Sequence, residues 1–177
     1  MIMETDRLII REYQQDDYAG VHRYASNPLV TTYTLWGPNS PEETQGHIEA
    51  MLAMQQQEPR TGYEFAVTLK HSGEMIGGVG LHKNGFNGEV GYCFHPDYWG
   101  RGYAFESAEA MLELGFGQLG LHRIYATCRP ENTGSERVMQ KLGMQKEGHL
   151  REHLLSNKGG FVDSYLYSIL IQDYETK

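Results

Sequence analysis

Cysteine is nearly absent from this chain: only Cys93 and Cys128 occur among 177 residues. Each lies in an apolar segment of strand character, so reduced core thiols are expected rather than a disulfide framework. Basic residues are also in deficit, with 15 Lys and Arg against 23 Asp and Glu and a formal net charge of −8. That balance argues against nucleic acid as the main partner, because phosphate binding draws on an excess of Lys and Arg. No apolar run approaches the ~18 residues that a membrane helix needs. The opening Met1-Ile2-Met3-Glu4-Thr5-Asp6-Arg7 lacks the basic start and apolar centre of a signal peptide. A cytoplasmic protein with no membrane partner is therefore expected. Of eight histidines, His149 and His153 are the only pair at i, i+4. Their segment alternates like a strand and brings no third ligand, so no metal is expected. Repeats, low-complexity segments and a linker are lacking too, and residues 1–177 read as a single domain.

What is present is a regular succession of short elements. Arg7 to Glu12 reads as a strand, and Asp16-Asp17 starts a helical run that Asn27-Pro28 breaks. Ser40-Pro41-Glu42-Glu43 is a strong helix start, with Ser as N-cap, Pro at N1 and Glu at N3. Ile48, Met51, Leu52 and Gln55 trace the inner face of that helix. Between these helices Tyr33 and Trp36 are either lids on the core or walls of an acceptor pocket. From Glu42 to Glu58 there are four glutamates and no Lys or Arg. They form either a solvated face or a surface that attracts a cation.

Glu64 to Lys70, Met75 to His82 and Glu89 to Phe94 follow as an antiparallel meander. Gly77, Gly78 and Gly80 precede no helix, which makes them close-approach glycines of a strand rather than a nucleotide loop. Ala104, Ala108, Met111, Leu112, Gly115 and Phe116 then form one helical stripe. Arg123 to Cys128 is a strand reached through a helical crossover, hence parallel to the Glu89 strand. Asn132 caps a short helix ending at Gly143, and Met144 to His153 and Val162 to Ile171 close the chain as strands.

Between the Glu89 strand and the next helix stands Tyr98-Trp99-Gly100-Arg101-Gly102-Tyr103-Ala104. Strand, glycine loop and helix is the order needed to aim backbone N–H groups and the positive end of a helix at a phosphate. The glycines alone are equally consistent with a tight turn. No Gly-Lys-Ser/Thr ends the loop and no third glycine follows at the dinucleotide spacing, which excludes the two commonest phosphate loops.

The frame Trp99-Gly100-Arg101-Gly102-Tyr103-Ala104 resembles the pyrophosphate loop of the GNAT superfamily of acyl-CoA-dependent N-acetyltransferases, Gln/Arg-x-x-Gly-x-Gly/Ala. Trp99 replaces the first Gln or Arg, a form that looks like the RimJ/RimL-type branch. Asn132-Thr133-Gly134-Ser135 and Lys141-Leu142-Gly143-Met144 resemble the superfamily's Asn-x-x-Ala/Ser…Lys-x-Gly-Phe helix, and Thr5-Asp6-Arg7-Leu8 looks like the branch's first strand. The resemblance implies a mixed α/β fold: a mostly antiparallel sheet of about seven strands flanked by four helices, ordered β-α-α-β-β-β-α-β-α-β-β.

It also implies a reaction. The Glu89 and Arg123 strands would splay apart to admit the pantetheine arm of acetyl-CoA, with Phe94 and His95 pairing to it. Gly100, Arg101, Gly102, Tyr103 and Ala104 would hold the pyrophosphate, and Asn132 the arm. Acceptor amines have pKa values of ~8 to ~10.4 and must lose a proton before attack. The resemblance assigns that task to Glu89, whose plainer role would be a strand carboxylate paired with Lys83. Met139 stands where most of the superfamily has a proton-donating tyrosine. Ser135 matches a serine of the RimJ/RimL branch proposed for that role, or is merely the N3 residue of its helix. Tyr33, Trp36 and Tyr92 are candidates for the acceptor site. The implied partners are acetyl-CoA and an amine, cationic or a protein N-terminus. Tyr165-Leu166-Tyr167 could equally face a second copy of the chain, making a homodimer. A non-catalytic acyl-CoA sensor is the alternative.

Overall fold

The computed structural model describes residues 1–176, in which eight strands form one sheet in the order β1-β2-β3-β4-β5-β6-β8-β7. The strands are β1 (Ile2–Glu4), β2 (Leu8–Glu12), β3 (Gly62–Leu69), β4 (Met75–Asn84), β5 (Asn87–Phe94), β6 (Arg123–Cys128), β7 (Gln145–Leu155) and β8 (Phe161–Leu170). The helices are α1 (Tyr18–Ala25), α2 (Pro41–Gln55), α3 (Tyr103–Glu113), α4 (Thr133–Lys141) and α5 (Ile171–Glu175). Two elements exceed the expected seven strands and four helices. β1 is three residues long, too short to show alternation, and folds back where Thr5 N donates to Leu8 O at 3.0 Å. α5 has five residues, too few to display a 3.6-residue period.

The other helices start where the sequence places them. Ser40 Oγ accepts from Glu43 N at 3.2 Å while the Glu43 carboxylate accepts from Ser40 N at 2.7 Å, a closed capping box. Asn132 Oδ1 accepts from Ser135 N at 3.1 Å, and Gly143 follows α4 at φ +74°. α3 runs on as a π turn, Leu114–Gln118. There a Cβ on Gly115 would meet Ile124 Cδ1 at 2.6 Å, so the chain presses close to the sheet.

Side-chain alternation divides the sheet into two faces. Phe65, Val67, Val79, Leu81, Val90, Phe94, Ile124 and Ala126 pack with Ala108, Met111 and Leu112 of α3 and Met139 of α4. Ala66 and Cys93 face the other way, with Val21, Tyr24, Ile48 and Met51 of α1 and α2.

All neighbouring strands are antiparallel except β5 and β6, which run parallel. The β4–β5 ladder extends to Gly77↔Phe94 and the β6–β8 ladder to Cys128↔Tyr165. Between β5 and β6, however, only Asn87↔Arg123, Gly88↔Ile124 and Glu89↔Tyr125 are paired. Beyond Glu89 the two central strands part, leaving a gap from Val90 to Phe94 on one side and Ala126 to Cys128 on the other.

Candidate active site

The glycine loop stands at the open end of this gap. Gly100 and Gly102 adopt φ of +72° and +83°, left-handed values that cost other residues about 1–2 kcal/mol. Gly102 is the N-cap of α3 and offers no side chain to its first turn, so the N–H groups there remain directed outward. The loop is braced by Arg7. Its Nη1 donates to Arg101 O at 2.9 Å, its guanidinium lies 4.5 Å from the centre of the Tyr103 ring, and its Nε donates to Glu106 at 2.7 Å. Burial works to raise the Glu106 pKa, but Thr5 and Arg7 outweigh it and hold the carboxyl below its ordinary value. Trp99 is 51% exposed, and its indole N–H donates to Phe94 O at 2.7 Å.

The walls of the gap carry their own donors and acceptors. His95 N donates to Ile76 O at 2.9 Å, which commits that amide to the β4 side. Ladder alternation therefore turns the peptide groups of Phe94 and Tyr92 toward the gap. Across it, Arg129 follows β6 and is 8% exposed, with its buried Nη1 lacking a hydrogen-bond partner among the described residues. A buried cationic donor left unpaired is costly, and a ligand carbonyl or phosphate would satisfy it. Tyr92 points to the α4 side, where its hydroxyl lies 3.0 Å from Ser135 Oγ and 3.1 Å from Ser135 O. Burial raises the Tyr92 pKa, so the phenol keeps its proton. Burial likewise pushes the Cys93 thiol up to about 12 and Cys128 to about 11.

Behind the gap, the α1–α2 face has a bare floor. Gly80 and Gly91 are cross-strand partners, and nothing lies within 4 Å of a Cβ built on Gly91. Over Gly80 lies the Glu64 carboxylate, 2.2–2.4 Å from where a Cβ would stand. Glu64 Oε1 is 2.6 Å from His82 Nε2, and His82 is the register partner of Glu89. Glu89 accepts from Tyr125 Oη at 3.4 Å, whereas Lys83 donates elsewhere, to Leu119 O at 3.2 Å. The carboxylate is thus not spent on the lysine beside it. Tyr33 and Trp36, 41% and 39% exposed, are not core lids. Their loop is tied to the β7–β8 turn by Asn157 N donating to Leu35 O at 3.3 Å.

A profile of the Acetyltransferase (GNAT) domain matches residues 7–145. The chain belongs to the GNAT acetyltransferase family. It is 34% identical to the uncharacterized N-acetyltransferase YnaD of Bacillus subtilis over 98% of this chain and 99% of that protein. The crystal structure of a GNAT-family acetyltransferase from Bacillus anthracis superposes with a TM-score of 0.86 at 36% identity, covering 97% of this chain and 99% of that one. The Escherichia coli [ribosomal protein uS5]-alanine N-acetyltransferase is 27% identical over 97% of this chain and 92% of its own.

Acetyl-CoA is the cosubstrate of this family, and the parted strands, the left-handed glycines, the uncapped α3 N-terminus and the orphaned Arg129 donor all fit it. Gly100, Arg101, Gly102, Tyr103, Ala104, Phe94 and Asn132 stand around the gap and its mouth. The backbone amide of His95, expected to pair with the arm, is instead bonded to Ile76 O, and its Nδ1 accepts from Asp97 N at 3.3 Å. Tyr92 is separated from Tyr33 and Trp36 by the sheet itself and sits with Ser135. The exposed Glu42, Glu43 and Glu49 of α2 face solvent, one of them consumed by the capping box. Glu64 and Glu89 lie instead on the sheet, the first over Gly80 and the second where the gap opens. Tyr167 is buried with its hydroxyl on Glu136 at 2.6 Å, and the Lys146 ammonium covers Tyr165 at 3.0 Å, so both rings are occupied within the chain.

Sequence reasoning missed Arg7, Glu64 and His82 as parts of the site. Only Arg7 carried a signal, in the Thr5-Asp6-Arg7-Leu8 match. Among the described residues no cluster of three or more His, Cys, Asp or Glu could hold a metal. His149 pairs with Asp163 at 2.6 Å and His153 with Ser164 at 2.8 Å, each on its own. No helix among the described residues is long and apolar enough to cross a membrane.

Proposed function

We propose that this enzyme transfers the acetyl group of acetyl-CoA to a cationic primary amine by direct attack in a ternary complex, with Glu89 as the general base. The observation that carries the reading is the place of Glu89: it is the last residue of β5 paired with β6, so its carboxylate stands where the gap opens. When bound, acetyl-CoA supplies the activated acyl thioester. Gly100 to Ala104 hold its pyrophosphate, Phe94 and Tyr92 offer peptide groups to its arm, and Asn132 and Arg129 line the other wall.

An ammonium entering over Gly91 meets Glu64 on one side and Glu89 on the other. Glu89 takes its proton, oriented by the Tyr125 hydroxyl, and the freed amine faces the gap. Tyr33 and Trp36 stand at the rim as the acceptor's apolar contacts. Ser135 and Tyr92, linked at 3.0 Å, serve as hydrogen-bond donors to the departing sulfur. They fill the place left by Met139, which is fully buried in the core. Cys93 takes no acyl group, since its thiol stays protonated at neutral pH.

The test is thiol release from acetyl-CoA over a panel of spermidine, lysine, and alanine- and serine-initiated peptides. Turnover of at least one, lost in Glu89→Gln with acetyl-CoA affinity retained, supports the assignment. Tight acetyl-CoA binding without turnover of any amine would favour the sensor alternative.

A further inference from the structure

A general base that takes a proton must also release it before the next turnover. Glu89 faces its register partner on β4, His82, and His82 is itself held by Glu64 of β3 through a 2.6 Å contact to Nε2. His82 and Glu64 are in contact, and Glu89 stands beside them on the same face as the cross-strand neighbour of His82. His82 is 51% exposed and Glu64 25%, so the group leads from the site to solvent. With Nε2 on Glu64, Nδ1 is the ring nitrogen left for exchange.

We propose that His82 relays the acceptor's proton from Glu89 to solvent and that Glu64 is the residue that positions it. The idea rests on the reading of Glu89 as the base. The proton leaves the ammonium nitrogen for a Glu89 oxygen, passes through a bridging water to Nδ1 of neutral His82, and departs from the resulting imidazolium to bulk water. Glu89 is thereby returned to its anionic form, and no bond other than N–H and O–H changes.

The charged surroundings of His82 suit this role. Glu64 flanks it on β3 and Glu89 on β5. Tyr125 of β6 lies beyond Glu89 with Arg123 5.2 Å from its ring centre. From α2, His47 faces the same Glu64 and is held below its ordinary pKa by burial. Lys83 turns to the opposite face. The hydrogen bond that His82 donates to Glu64, opposed by burial and aided by the Glu64 and Glu89 charges, raises the His82 pKa. His82 accepts a proton only when neutral, so kcat should rise with pH through that raised value.

Two measurements test the relay. In the first, kcat is followed against pH with spermidine and with an alanine-initiated peptide as acceptors. His82→Gln should erase the lower limb and reduce kcat above it by about tenfold or more, within the ~10²–10⁴ of a full general base. Glu64→Gln should move the limb to lower pH. Profiles unchanged in both variants, with Glu89→Gln inactive, would overturn the relay and leave the base intact; an active Glu89→Gln would overturn both. In the second, the His82 ring is titrated by NMR in the protein without ligands. Its midpoint should fall in Glu64→Gln and, to a lesser extent, in Glu89→Gln. A midpoint indifferent to Glu89→Gln would show that the two groups are uncoupled and would sink the proposal without any turnover being measured.

Discussion

The two faces of the sheet at the gap are built from different materials. The α3–α4 side presents chiefly backbone: two left-handed glycines, an uncapped helix start and β5 peptide groups turned to the gap. The α1–α2 side presents side chains brought together from different strands, with Glu64, His82, Glu89 and Tyr125 placed by β3 to β6. Backbone recognition needs a contiguous run of small residues. Side-chain recognition needs only register, and register leaves no spacing to read.

The largest test of this contrast lies on the side-chain face. Glu89→Gln should lower kcat by ~10²–10⁴-fold while leaving acetyl-CoA affinity unchanged, as measured by steady-state kinetics alongside calorimetry. Gly102→Val should do the reverse. Left-handed strain of about 1–2 kcal/mol at φ +83° corresponds to roughly 5–30-fold weaker CoA binding. Kinetics showing kcat, rather than CoA binding, as the casualty would break the division between the faces.

Two further variants address the supports. Met139→Tyr restores the residue that most of the superfamily carries, yet its position is fully buried. Overpacking should cost about 1–3 kcal/mol, seen as a lower Tm, with no gain in rate. Arg7→Ala removes the brace on Arg101 O and the partner of Glu106. Glu106 has its folded pKa below the unfolded value, so its stabilisation is present above the ordinary carboxylate range and is lost as pH falls through the folded value. Arg7→Ala should therefore shift acid unfolding, followed by circular dichroism, to higher pH. The smallest effect belongs to Glu49→Gln on the solvent side of α2. It should stay within ~0.5 kcal/mol in stability and leave the acceptor KM unmoved, and a clear rise in KM would return the acidic helix to the acceptor site.

Much of this molecule was legible before the structure because its signals are local. Ser40 to Glu43 announces α2 with a capping box, Asn132 announces α4, and the Trp99 to Ala104 frame announces the cradle. The parallel β5–β6 pair followed from the crossover through α3. What escaped was long-range. Glu64 and His82 lie 18 positions apart and meet only because β3 and β4 pair. Tyr92 and Ser135 lie 43 apart and meet across β5 and α4. Tyr92, expected with Tyr33 and Trp36 at an acceptor site, is turned by strand alternation to the α4 face, beside Ser135. The glutamates of α2 are dense, yet Glu42 and Glu43 belong to its capped first turn and Glu49 is exposed.

The gap between β5 and β6 bears on more than catalysis. The sheet is zipped across its centre only at the Asn87, Gly88 and Glu89 end, and from Val90 onward its two halves are joined by helices rather than by a ladder. A cosubstrate arm lying in that gap would act as a ninth, non-peptide strand. Folding and ligand occupancy are then linked: at a hundredfold excess over Kd, acetyl-CoA would add about 2.7 kcal/mol to the stability of the folded chain. The melting temperature of this enzyme thereby becomes a gauge of how much acetyl-CoA surrounds it.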